Sequence, residues 1–209
     1  MLVPKNKDSI LNVMAVALAV CFVCSIMVAS AAVLLKPQRI ANKNLDRISN
    51  IIMAAGIQNV SPAEIASEFK KFEVKVADLA EGRILSDLEA LDLGIDSNTY
   101  DQRKASKDPS LSKALSDEED LAAISRRARY SLIYVLREEE TRTISKIILP
   151  VHGYGLWSTL YGFLSLEGDM NTVSGITFYE HGETAGLGGE VDNPDWKKSW
   201  EGKKIYSDG

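Results

Sequence analysis

The 209-residue sequence predicts an α+β fold: one N-terminal transmembrane helix, then a domain built on an antiparallel sheet flanked by helices. Three observations carry this. Ile10 to Leu35 contains no charged residue. The stretch after Tyr130 consists of β-branched and aromatic runs separated by turn residues. The segments between show helical periodicity with capping signals. The organisation is a short tail over 1–9, a transmembrane helix over 10–35, membrane-proximal helices and a polar loop region over 36–129, and the sheet-forming core over 130–209.

The apolar run exceeds the roughly 20 residues a helix needs to cross a bilayer. A cleaved signal peptide is the rival reading, because Lys5 and Lys7 precede the run and Ala29-Ser30-Ala31 resembles a cleavage site. The run is longer than the roughly 7–15 apolar residues of a signal peptide, which favours an uncleaved anchor. For orientation, Lys36, Arg39, Lys43 and Arg47 outnumber Lys5 and Lys7, and that charge count favours a cytoplasmic soluble domain.

Net charge is -5. Lys5 and Lys7 against Asp8 give the N-terminal part about +1, which leaves about -6 for the rest and disfavours a nucleic-acid partner. Cys21 and Cys24 both fall in the apolar run, so the soluble part has no thiol for a disulfide, a zinc site or an iron–sulfur cluster. With only His152 and His181 in addition, no metal site is expected. No G-x-S-x-G, Walker loop or Rossmann fingerprint occurs, and no catalytic residue is assigned.

Beyond the anchor, Leu45, Ile48, Ile51, Ile52 and Ala55 predict an amphipathic helix stopped by Gly56. Ser61-Pro62-Ala63-Glu64 reads as a capping box opening a helix that carries Ile65, Phe69 and Phe72. The stretch from about Asp92 to Glu119 reads as a long polar loop with short helical turns. Tyr130–Leu136 and Thr143–Leu149 form one expected hairpin, and Thr159–Leu166 and Thr172–Tyr179 form another around Gly168-Asp169. Asn193 and Pro194 open a short helix in which Trp196 and Trp200 share a face as expected core anchors.

Two glycine-rich loops interrupt this pattern, Pro150 to Trp157 and His181 to Gly189. Glycine lets backbone approach a ligand closely, and exposed amides can bond its polar edge. Leu156 and Leu187 would then be walls for a flat ring, with Glu183, Thr184 and neighbouring backbone at its edge. The alternative is that the loops only turn the chain.

The strings Leu149-Pro150-Val151-His152-Gly153-Tyr154-Gly155-Leu156-Trp157-Ser158 and Val173-Ser174-Gly175-Ile176-Thr177-Phe178-Tyr179-Glu180-His181-Gly182-Glu183-Thr184 resemble the flavin-binding domain in the C subunit of the bacterial sodium-translocating NADH:quinone oxidoreductase. The resemblance implies a membrane-anchored one-electron carrier that uses covalent FMN to relay electrons from NADH toward quinone, working with the other subunits of the complex and inactive alone. It also implies a single-pass protein of the bacterial inner membrane with a periplasmic domain, against the charge count. The cofactor-binding residues it implies are Tyr154, Gly155, Leu156, Trp157, Glu183, Thr184, Gly186, Leu187 and Gly188. Two departures stand out. Ala185 replaces a proline in the family's loop, and the Ser/Thr-Gly-Ala-Thr flavin acceptor motif does not occur before Gly209, so the covalent attachment point is not expected in this chain and the C-terminal end of the domain is read as missing. Thr177 sits in a superficially similar Ser-Gly-Ile-Thr string but within an expected strand, which makes it a poor acceptor. Alternative readings are a component like the G subunit of the Rnf electron-transport complex, and a non-redox membrane-tethered assembly protein.

Overall fold

The computed structural model describes residues 9–97 and 99–207. It divides into two compact units, Met1–Asn44 and Leu45–Gly209. Helix α1 (Ile10–Ala54) begins in the first and ends in the second. Its most apolar window has a mean hydropathy of 2.7 and none of it is buried within the chain, the condition of a helix whose solvent is lipid or another apolar surface. Lys5 and Lys7, which entered the orientation argument, and Asp8, which entered the charge count, lie outside the described residues.

The expected separate helices over 10–35 and from Leu45 are one helix, with Pro37 inside it. Proline removes one backbone donor, but Lys36 to Asn44 holds no glycine and no turn dipeptide to end the helix there.

In the second unit, six strands form one antiparallel sheet in the order β2-β1-β5-β6-β7-β8: β1 (Phe72–Asp78), β2 (Arg83–Ile84), β5 (Tyr130–Arg137), β6 (Ile144–Tyr154), β7 (Thr159–Glu167) and β8 (Val173–Glu180). A separate ribbon pairs β3 (Ser112–Ala114) with β4 (Arg126–Ala128). Short helices α2 (Ile65–Phe69), α3 (Asp87–Asp92), α4 (Gln102–Lys107) and α5 (Pro194–Lys198) complete it. Both expected hairpins form. Phe72 is not helical as expected; it opens β1, where Phe72, Val74 and Val76 face Leu136, Tyr134 and Leu132 across the ladder. Only Phe72–Asp78 of the region before Tyr130 gains a central place in the sheet.

One side of the sheet is sealed by the end of α1. Ile51, Ile52, Ala54 and Ala55 are buried among Phe72, Val76, Leu132, Tyr134, Ile148 and Phe163. The approach is close because β8 is small there: a Cβ on Gly175 would lie 2.5 Å from the Ala54 carbonyl oxygen. The Thr177 hydroxyl donates to the Asn50 carbonyl at 3.1 Å, and the Arg47 guanidinium bonds the Tyr134 hydroxyl. Trp196 and Trp200 are half-buried rather than core: their rings are 5.7 Å apart, and Trp196 lies 6.2 Å from Phe178, which ties α5 to β8.

The Ser61/Glu64 box is only half present, with Glu64 accepting from the Ser61 amide and hydroxyl, and α2 starts later. A complete capping box occurs instead at Ser86 and Glu89, opening α3. At the end of β1, Asp78 is buried and accepts from the Ala80 and Glu81 amides and from Arg129 at 2.8 Å. The Arg129 bond holds its carboxyl below the ordinary aspartate range, with the two amides prevailing alongside it over the opposing effect of burial.

Two outcomes follow for thermal denaturation. Gly175→Ala should destabilise the soluble unit by roughly 1–3 kcal/mol, because the new methyl meets helix backbone that has no side-chain freedom to yield. Asp78→Asn should cost roughly 1–3 kcal/mol at neutral pH. Since the native carboxyl titrates below its unfolded value of 3.8, that contribution is complete above that pH and fades as pH falls further, so wild type and variant should converge in acid.

Candidate functional site

The two glycine loops meet at one end of the β6–β7–β8 sheet. β6 ends at Tyr154, the chain turns back through Gly155–Ser158 into β7, and β8 delivers His181–Gly189 beside it. What joins them is Glu183. Its carboxylate accepts from the amides of Leu156 (3.3 Å), Trp157 (3.1 Å) and Ser158 (3.0 Å) and from the Ser158 hydroxyl (3.2 Å). The Ser158 Oγ in turn accepts from the Gly182 amide at 2.7 Å. Desolvation pushes the Glu183 carboxyl upward, but the Trp157 and Ser158 amides, the Ser158 hydroxyl and the Leu156 amide outweigh it and hold the group below the ordinary glutamate range.

The glycines make room for this carboxylate. A Cβ on Gly155 would lie 2.6 Å from one Glu183 carboxylate oxygen and 2.4 Å from Leu160, and a Cβ on Gly188 would lie 2.4 Å from the other oxygen. Gly155 and Gly188 are therefore required by a protein side chain, a reason distinct from ligand approach. Glu183 itself faces the loop amides.

Behind Glu183 stands a second relay. Its own amide donates to His181 Nδ1 at 3.2 Å, which leaves the ring proton on Nε2, facing Asp192 at 2.8 Å. Lys197 of α5 lies 3.5 Å from the same Asp192. His152 is elsewhere, stacked on Tyr161 at 5.7 Å between ring centroids, with Arg103 of α4 over the Tyr161 ring at 3.4 Å. Burial, and secondarily the Arg103 charge, lowers the His152 pKa. No group of three His, Cys, Asp or Glu side chains suited to a metal forms among the described residues.

On this frame the remaining residues point outward. Tyr154, Leu156, Trp157 and Leu187 are 56%, 66%, 65% and 65% exposed, a cluster of large apolar groups that the fold leaves uncovered. Thr184 and Gly186 are exposed beside them, Gly186 with φ 75 and open space around it. Among the described residues the amides of Thr184, Ala185 and Gly186 have no acceptor, while the Thr184 carbonyl is held by the amides of Leu187 and Gly189. Apolar walls beside three successive unpaired amides fit a flat heteroaromatic ring with a polar edge. Sequence reasoning missed Ser158, His181 and Asp192; the only available signal was a carboxylate flanked by glycines on both loops.

The fold and this site define an FMN-binding domain, and residues 155–208 match the family model of that description. The chain is 48% identical over 204 residues to the C subunit of the Na(+)-translocating NADH-quinone reductase of Pseudomonas aeruginosa, covering 96% of this chain and 75% of that one. It is 42% identical to the subunit of the same name from Haemophilus ducreyi, covering 97% and 75%. The crystal structure of Shewanella oneidensis NqrC superposes with a TM-score of 0.68 at 31% identity, covering 80% of this chain and 73% of that one. The chain belongs to the C-subunit family of the Na(+)-translocating NADH-quinone reductases, and the cofactor this indicates is FMN.

Replacing Glu183 by alanine should free the loops without unfolding the sheet. Amide exchange at Leu156–Ser158 should rise by an order of magnitude or more, with β5–β8 still protected. Because the native carboxyl titrates below 4.5, the wild-type loops should stay protected above that pH and loosen only in more acid solution.

Proposed function

We propose that this chain is a membrane-anchored one-electron carrier of the sodium-translocating NADH:quinone reductase, seating at its two glycine loops an FMN that is covalent in the family and relaying electrons from NADH toward quinone between other subunits. The observation that carries the reading is the exposed apolar cluster of Leu156, Trp157 and Leu187 on loops locked by Glu183. A bound flavin supplies reversible electron uptake and release. The protein's part is to hold the ring: Leu156 and Leu187 as walls, Tyr154 and Trp157 at the open margin, and the amides of Thr184, Ala185 and Gly186 on its polar edge, with Gly155 and Gly188 seating Glu183 behind them. The chain is read as working only within the complex, together with its other subunits.

Thr177 is set aside as the attachment point, since its hydroxyl is buried and bonded to Asn50. Family membership favours the sodium-pump reading over one like the Rnf complex's G subunit. The apolar part of α1 is taken to cross the inner membrane in contact with lipid, with the sheet domain on the periplasmic side.

Denatured protein from cells that assemble the native complex should carry flavin fluorescence on the band of this subunit, and a band without it would remove the carrier reading. Leu156→Ala and Leu187→Ala should each shift the flavin midpoint potential or slow its reduction several-fold, with thermal stability within about 0.5 kcal/mol of wild type, as expected of exposed positions. Unchanged potentials and rates in both variants would exclude these side chains as walls.

A further inference from the structure

A third loop reaches the same end of the sheet, from the polar region that carries little sign of function. Residues 115–125 connect β3 to β4, and the Ala122 carbonyl accepts the Tyr154 amide at 2.8 Å, where β6 enters the first glycine loop. Ala122 also packs against Gly153, 3.5 Å from the position of a Cβ there. The loop is built. Asp120 accepts from the Ile124 amide at 2.8 Å and from the Ser125 amide at 2.7 Å, while Ala123 and Ser125 are held at φ 50 and 61, a region non-glycine residues rarely adopt. The result is Leu121 at 95% exposure, next to the residue that touches Tyr154.

A leucine almost wholly in water on a strained, hydrogen-bonded loop contributes little to folding. We infer that Leu121, with Tyr154 and Trp157 at the margin of the flavin loops, is the docking surface for an electron-exchanging subunit of the complex. This rests on the carrier reading. The partner is a protein surface with an apolar centre and a basic rim, because the flanking Asp117 and Glu118 are exposed and have no partner among the described residues, whereas Glu119 is paired with Lys113 at 2.6 Å. An anionic lipid surface would be repelled by the same two carboxylates. A second copy of this chain, with net charge -5, would bring like charges together. Placing the contact at the flavin margin also keeps the distance for electron transfer short.

The test uses the assembled membrane complex and follows flavin reduction and reoxidation by stopped flow. Leu121→Ser should slow one of these steps about tenfold, with flavin content and midpoint potential unchanged. The double variant Asp117→Lys/Glu118→Lys should slow the same step at low salt, and the defect should shrink as ionic strength rises. A photo-crosslinker at position 121 should capture another subunit of the complex. Wild-type rates in both variants, loss of flavin in Leu121→Ser, or crosslinks to lipid or to a second copy would overturn the docking surface. A wild-type flavin that takes up no electrons during turnover would instead overturn the carrier reading beneath it.

Discussion

The sheet domain depends on one close approach, the end of α1 against β8 at Gly175. Only a residue without a side chain lets the Ala54 carbonyl come so near, and that proximity brings Ile51 and Ile52 into the centre of the core. The neighbouring strand residues conform to it. Ser165 is fully buried and bonded to Ser174 at 2.7 Å, and Thr177 turns its hydroxyl to Asn50. The string Ser174-Gly175-Ile176-Thr177 is accordingly a seat for a helix: small where the helix touches and polar where the Asn50 carbonyl accepts from Thr177. The Thr177 hydroxyl of that string is buried and already bonded to the Asn50 carbonyl.

Glu183 applies the same logic at the far end of β8. A carboxylate receiving three backbone amides and a hydroxyl is a strong local organiser, because charge-assisted bonds are roughly twice as strong as neutral ones. It needs space on both sides, and Gly155 and Gly188 provide it. The glycine richness that suggests a ligand site thus has two separate origins. Gly155 and Gly188 serve the carboxylate, while Gly186, at positive φ with open space around it, shapes the turn that leaves three amides unpaired.

Much of this was legible in the sequence, and the gaps have physical causes. β5 to β8 were readable because Tyr130–Leu136 and Ile176–Tyr179 combine β-branched and aromatic residues between clear turns. β1 was missed because Phe72 follows Ile65 and Phe69 at helical spacing, and tertiary pairing with Leu136 decided otherwise. The union of two expected helices into α1 was hidden by Pro37, a breaker by propensity that a long exposed helix tolerates. Leu156 and Leu187 stood out as apolar residues among glycines. The roles of Ser158, His181, Asp192 and Arg103 could not, since each is defined by a partner between 11 and 77 positions away. Hydrophobic periodicity reports only neighbours along the chain, so polar networks that close across loops leave no periodic trace.

The same distinction separates what folds this domain from what it is for. The core side chains are consumed in packing, and the loop carboxylates Asp120 and Glu183 are consumed in backbone hydrogen bonds. Leu121, Leu156, Trp157 and Leu187 remain with neither role, on loops anchored through Asp120 and Glu183. Exposed apolar surface is unfavourable for a free protein, by roughly 25 cal/mol for each Å² that could have been buried. Rigid loops that display it therefore make sense only if something else covers it. In the proposed reading a flat cofactor covers the part between the two glycine loops, and a protein partner covers the part beside the Asp120 loop. Because the two parts adjoin at Tyr154, that reading puts the cofactor at an interface rather than in a closed pocket, which is where an electron carrier has to keep it.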